Sequence, residues 1–284
     1  MRKIIIAILI GILLVVIAFV LGICASLFEK RPLYGKYVGI VKIEGTIITS
    51  GEAVEMLEDA RKDSNIKAVV LRVDSPGGAV AASQEIYEEV KNVNATKPVV
   101  VSMGDVAASG GYYVALGARR IFANPGTITG SIGVRMEHLN LKELFALARI
   151  GHETLKSGEY KDMGTFDREL TPAEREILQG LLAELHAQFK EAVVEGRKLP
   201  PDVVEKIADG RIYSGEQAKA LGLIDEIGGL TIAVRAAASM AGITGEPDVI
   251  DMKPAKRWWE DVLENSARGA IDKIIGGVAA FRLR

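Results

Sequence analysis

Three runs dense in β-branched residues, YVGIVKI (37–43), AVVLRV (68–73) and PVVVS (98–102), alternate with helically patterned stretches, and this alternation constrains the fold more than any other feature. Runs this apolar read as strands of a largely parallel sheet buried on both faces by helices. The intervening segments 51–62 and about 79–92 read as those helices. Glycine punctuates the steps between them. DSPGG (74–78) follows the second run, and ASGGYYVALGA (108–118) follows the third as a turn opening a helix. Two βαβ-like units in tandem result, and a single α/β domain spanning 37–250 accommodates them. Two later helices carry start signals: Thr171, Pro172 and Glu174 form a capping box with proline at the first helical position, and Ser214 with Gln217 forms another.

The flanks of this domain are of a different kind. Residues 4–28, from Ile4 to Phe28, include no charged side chain. At about 1.5 Å per residue, a helix of that length exceeds the roughly 30 Å hydrocarbon core of a bilayer, so 4–28 reads as a transmembrane anchor behind a short flank (1–3). The apolar region of a cleaved signal peptide would run only about 7–15 residues. Arg2 and Lys3 face Lys30, Arg31 and Lys36 across the anchor, so charge leaves its orientation open. A linker (29–36) joins anchor to domain. The tail (251–284) places Trp259, Leu263, Ile271, Ile274, Ile275, Val278 and Phe281 near one helical face. That face suits packing on the domain or a neighbouring subunit; Trp258 and Trp259 beside Lys256 and Arg257 suit a membrane surface.

A net charge of −2 argues against nucleic acid as a partner. The single cysteine, Cys24, lies in the apolar run and permits no internal disulfide, and neither a zinc-type cluster nor an HExxH helix occurs. A metalloprotease is disfavoured, and no metal or cofactor is expected. A hydrolase would then need a side-chain base. Of three histidines, His186 and His138 read as solvated surface residues, while His152 in a loop is retained, although no aspartate is matched to it for a Ser/His/Asp triad.

Ser109 precedes Gly110 and Gly111 at a helix start, where free N–H groups favour developing negative charge. The Gly110 amide suits one oxyanion donor, and Gly77 or Gly78 could provide a second, because a missing β-carbon permits close backbone approach. Taken alone, a serine in this position is more often an N-cap. The segment KSGEYKDMG (156–164) offers Lys156 and Lys161 as bases. A lysine acts this way only as the neutral amine, which requires its reference pKa near 10.4 to fall to roughly 7–8. Position alone does not choose between them.

DSPGG (74–78), GDVAASGGYY (104–113), TGSIGV (129–134), KSGEYKDMG (156–164) and GRIYSGEQAKALGLIDEIGG (210–229), in this order, resemble the short form of the signal peptide peptidase A family. The resemblance implies a serine protease on the crotonase/Clp protease-like repeated ββα superhelix, with an N-terminal transmembrane helix, that degrades signal peptides. It implies Ser109 as nucleophile, Lys161 as base and Ser131 as the hydroxyl that orients the lysine. It also implies a single-pass cell-membrane protein with an extracytoplasmic catalytic domain, in a homo-oligomeric, octameric ring whose neighbouring subunits contribute the serine and the lysine. Four alternatives stay open: an NfeD-class stomatin-associated Ser/Lys protease, a Clp-type triad through His152, a crotonase-like acyl-CoA enzyme, and a catalytically silent membrane scaffold.

Overall fold

In the computed structural model, which describes residues 35–254, the β-branched runs form the centre of an eight-stranded sheet. The anchor and all but the first residues of the tail lie outside the described residues. Among the described residues no helix is long and apolar enough to cross a membrane. The central strands are β1 (Tyr37–Glu44), β2 (Ile66–Ser75) and β3 (Val99–Ala108). Shorter strands follow: β4 (Arg120–Ala123), β5 (Ile128–Gly130), β6 (Ile212–Ser214), β7 (Glu226–Ile227) and β8 (Asp248–Asp251). The order is β6-β5-β3-β2-β1-β8, with β4 on β3 and β7 on β4. Every pairing is parallel except β5 with β6, so the sheet is mixed, not uniformly parallel.

Successive side chains of a strand point to opposite faces, and that period divides the core in two. Val41, Val69, Leu71, Val73, Val99 and Val101 face the larger cluster, beneath helices α1 (Gly51–Lys62), α2 (Val80–Asn94), α3 (Gly110–Ala115) and α5 (Pro172–Arg197). Val38, Ile40, Ala68, Val70, Val100 and Phe122 face the smaller one, covered by α8 (Leu230–Met240). Short helices α4 (Lys142–Ala148), α6 (Pro201–Ile207) and α7 (Gly215–Ala220) complete the described chain. Both capping boxes form: Thr171 Oγ1 accepts the Glu174 N–H while the Glu174 carboxylate accepts the Thr171 N–H, and Ser214 and Gln217 do the same.

Strand β3 extends six residues past the expected end at Ser102, because it has two partners on one edge. Val100–Ser102 pair with β4, and Val106–Ala108 pair with β5. The handover occurs at Gly104, where a β-carbon would lie 2.6 Å from Asp74 Cγ, while Asp74 Oδ1 accepts the Val106 N–H. Buried Thr127 and Thr129 donate to the Gly104 and Ala107 carbonyl oxygens at 2.7 and 2.6 Å. These bonds fasten the β5 segment to the second half of β3, so the ends of β3 and β5 emerge side by side.

Candidate active site

The residue after β3 is Ser109, and its backbone (φ 53°, ψ −122°) lies outside the regions an L-residue prefers. Among the described residues four non-glycine residues have positive φ: Arg149 and Lys198 are left-handed helix C-caps, whereas Ser109 and Ser131 are not. Such conformations cost of order 1–3 kcal/mol and persist only where the surroundings impose them. Here the Ser109 N–H donates to the Gly130 carbonyl and the Ser109 carbonyl accepts from Tyr113, clamping the residue between β5 and α3. Its half-buried side chain makes no capping hydrogen bond, so the N-cap reading of this serine fails.

The glycines around Ser109 are close-packed. Gly77 has φ +99°, and a β-carbon there would lie 2.6 Å from the Gly110 nitrogen; one on Gly110 would lie 2.4 Å from the Oγ of buried Ser83. Gly77–Ala79 runs beside Ile47 as an isolated parallel bridge, in which the Ile47 N–H donates to the Gly77 carbonyl and the Ala79 N–H to the Ile47 carbonyl. The pleat therefore turns the Gly78 N–H the other way, toward the Ser109–Gly110 step, where a Gly110 β-carbon would sit 3.1 Å from it. Among the described residues neither the Gly78 nor the Gly110 N–H meets an acceptor. Gly77 differs, since its N–H donates to Ser75 Oγ at 3.1 Å. Gly78 and Gly110 are thus the open pair of amides beside Ser109, and Gly77 contributes by close packing and its left-handed turn.

Ala108 and Gly130 are register partners, so Ser109 and Ser131 each occupy the first position beyond paired strand ends. Ser131 (φ 51°) donates its N–H to the Arg211 carbonyl at 2.8 Å. The 210–229 motif explains that placement. The Tyr213 ring fills the space where a Gly130 β-carbon would be, 2.5 Å from Cδ2, and the Tyr213 hydroxyl donates to the Ile207 carbonyl. Farther along, Asp225 takes a two-pronged Arg197 at 2.9 and 3.0 Å and accepts the Ile121 N–H, tying the motif to β4. Tyr112, fully buried behind Ser109, donates to the Leu223 carbonyl, and burial pushes its phenol pKa up.

Lys156 and Lys161 have different surroundings. Lys156 Nζ donates to Asp162 Oδ1 at 2.7 Å and to the Glu159 carbonyl at 2.8 Å. Lys156 and, secondarily, Arg168 hold the Asp162 carboxyl below its usual range. The exposed Lys161 ammonium makes no hydrogen bond or ion pair among the described residues. No hydrogen bond or ion pair among the described residues joins either lysine to Ser109 or Ser131.

The histidines depart from expectation. His186 is half-buried, and its Nε2 is buried without a hydrogen-bond partner among the described residues. His138 is half-buried and its Nε2 lies 2.8 Å from the Thr165 carbonyl oxygen. His152 does have an aspartate: its Nδ1 lies 2.9 Å from Asp167 Oδ2, and the ring packs near Phe145 and Phe166. Thr165, and then His152, keep the Asp167 carboxyl below its ordinary range. The two residues lie fifteen positions apart in a loop, with no motif to announce the pair. Among the described residues no cluster of His, Cys, Asp and Glu could hold a metal ion.

The peptidase family S49 signature spans residues 91–244, and that of the Clp protease spans 45–127. A Synechocystis sp. protein named as a candidate protease is 43% identical over 216 residues, 75% of this chain and 77% of that one. The chloroplastic serine protease SPPA of Arabidopsis thaliana is 37% identical over 206 residues, 72% of this chain and 30% of that one. An Enterococcus faecium protein named as a candidate signal peptide peptidase SppA is 34% identical over 202 residues, covering 66% of this chain and 59% of that one. The chain therefore spans less than two thirds of the plant and enterococcal relatives. With a Clp protease-like α/β fold and similarity of this extent, the chain belongs to peptidase family S49 and is a serine protease.

Proposed function

We propose that the protein is a membrane-anchored serine endopeptidase in which Ser109 is the nucleophile and Lys161 the general base, acting on signal peptides and other apolar peptides. The observation that carries this reading is the serine itself: strained, half-buried, free of a capping role, and flanked by the open amides of Gly78 and Gly110. Strain of this kind concentrates at reacting residues, and two convergent N–H groups suit a tetrahedral oxyanion.

The Lys161 amine takes the Ser109 hydroxyl proton as Oγ attacks the scissile carbonyl, and the Gly78 and Gly110 amides receive the oxyanion. Collapse breaks the C–N bond, with the Lys161 ammonium returning its proton to the leaving amine. Water, deprotonated by the same amine, then resolves the acyl-enzyme and restores Ser109. Ser131, beside Ser109 at the strand ends, orients the ammonium form.

Lys161 comes from a neighbouring protomer of a homo-oligomeric ring. What supports this is the segment that bears it: Leu144, Leu147, Ile150 and Leu155 are 55–90% exposed, a surface that calls for a cover. The run 4–28 anchors the chain in the cell membrane, with the protease domain extracytoplasmic. The test uses full chains in detergent with a synthetic signal peptide as substrate. Ser109→Ala and Lys161→Ala are each inactive, and mixed oligomers of the two regain turnover. Activity abolished by Lys156→Ala and retained by Lys161→Ala would sink the base assignment.

The His152–Asp167 hydrogen bond favours a second reading, a Ser/His/Asp triad completed across subunits. Under it His152→Ala is inactive; under the lysine mechanism His152→Ala turns over normally.

A further inference from the structure

The open amides beside Ser109 belong to Gly78 and Gly110, and one buried residue touches the backbone next to each of them. Ser75, at the end of β2, is fully buried and pairs with Ala107, two residues before Ser109. Its Oγ accepts the Gly77 N–H at 3.1 Å. Its carbonyl oxygen lies against the start of α3, where a β-carbon on Gly111 would come within 2.6 Å of it. A single side chain and its own carbonyl thus meet both halves of the amide pair.

The bond to Gly77 matters because that glycine decides where the Gly78 N–H points. Two peptide planes meet at the Gly77 α-carbon, and a glycine at φ +99° has the freedom to turn either of them. Ser75 Oγ holds the N–H of the first plane, Pro76–Gly77. The Ile47 N–H holds the carbonyl of the second, Gly77–Gly78, at 3.0 Å. That second peptide is planar and trans, so its C=O and N–H point in opposite directions. With the carbonyl held at Ile47, the Gly78 N–H is directed to the Ser109–Gly110 step. Turning of the plane would present the Gly77 carbonyl oxygen there instead, a repulsive neighbour for an oxyanion in place of a donor. Loss of the Ser75 hydroxyl would leave the Gly77 N–H without its acceptor, and a buried donor in that state costs enough to drive a soft backbone to turn.

We infer that Ser75 is a positioning residue for the oxyanion site: its hydroxyl fixes the first Gly77 plane, so that the second keeps the Gly78 N–H aimed at Ser109. The inference rests on Ser109 being the nucleophile and on the Gly78 and Gly110 amides receiving the oxyanion. It gives the serine of DSPGG a part in the reaction that needs no contact with substrate.

The test is cleavage of a fluorogenic apolar peptide by the full chain in detergent, with kcat and KM resolved, together with the rate of fluorophosphonate labelling, whose phosphoryl oxygen occupies the oxyanion position. Ser75→Ala is expected to lower kcat and the labelling rate together by about 10- to 100-fold, part of what the loss of one donor costs, with KM changed by less than about threefold. Ser75→Cys keeps the size and a weaker acceptor, so both rates fall less, and it carries the test should the alanine variant fail to fold. Ser102→Ala is the structural control: it removes another buried hydroxyl, one that accepts from Arg72 Nη1 at 2.9 Å, and is expected to lower the melting temperature while both rates stay. Wild-type rates in both Ser75 variants, or an equal loss in Ser102→Ala, overturn the positioning role. Gly110→Ala separates this from the reading beneath it: if it lowers both rates while the Ser75 variants do not, only the positioning role falls, and if it too leaves them unchanged, the oxyanion assignment itself fails.

Discussion

The serine and lysine regions are built in opposite ways. Around Ser109 every residue of α3 is buried, and the flanking glycines approach neighbouring backbone so closely that a methyl group has no room. Around Lys161 the preceding helix α4 buries no residue, and its leucines face outward. The first region is over-determined by the chain's own packing, which is what allows it to hold a strained backbone. The second has an ion-pair frame, Lys156–Asp162–Arg168–Glu174, and an apolar surface left exposed among the described residues. Under the proposed intersubunit mechanism, one half of the site is set by one chain and the other by the protomer that covers it.

The largest effect expected is at the serine. Ser109→Ala is predicted to lower kcat/KM by about 10⁴-fold or more with little change in melting temperature, read by peptide cleavage and by loss of fluorophosphonate labelling. Ser109→Gly goes further: it is equally inactive, yet more stable by about 1 kcal/mol because glycine relieves the positive φ. A destabilised glycine variant would show that the serine backbone is not strained. Next is Gly110→Ala, whose β-carbon meets Ser83 Oγ and the space before the Gly78 N–H; a fall in kcat of about 10²–10³-fold is expected, with KM moving less.

In the lysine region the effects are smaller and of another kind. Leu147→Glu, at an 83% exposed position, should leave the unfolding free energy of the chain within about 0.5 kcal/mol yet weaken self-association about fivefold or more, measured by sedimentation. An unchanged association constant would mean that this surface is not the contact. The smallest effect is at Glu174, which joins the ion-pair frame to the start of α5. Arg168 first, and the Thr171 N–H second, lower its carboxyl from an ordinary 4.5 to about 2. A lowered folded-state value stabilises the protein above the ordinary pKa, and that contribution is lost as pH falls from 4.5 toward 2. Glu174→Gln is therefore predicted to flatten the acid side of the melting-temperature profile, with no change in the slope above pH 5.

Much of the serine region is legible in the sequence, because the signals there are local. β-branched runs mark β1 and β2, DSPGG and ASGG mark the turns, and Thr171 with Glu174 and Ser214 with Gln217 mark helix starts through bonds made within four residues. Other features depend on contacts that no pattern marks, some between distant segments and some, as at Ser75–Gly77, within a few residues. Strand β3 runs on to Ala108 because β5 pairs with its second half. Gly78 and not Gly77 presents an open amide because Ser75 Oγ takes the Gly77 N–H. The His152–Asp167 pair, the buried Nε2 of half-buried His186 and the commitment of Lys156 to Asp162 likewise follow from contacts that no periodicity records.

The sequence by itself determined the α/β class, the placement of Ser109 ahead of Gly110 and Gly111 at a helix start, and the two lysines from which a base is drawn. Only the tertiary structure decided that Ser109 is strained and uncapped, that Ser131 stands beside it through the Ala108–Gly130 register, and that Lys161, unlike Lys156, has no ion pair among the described residues. The physical reason is range. Hydrophobic period and capping act over a few residues, whereas strand register and charge pairing depend on segments that only folding brings together.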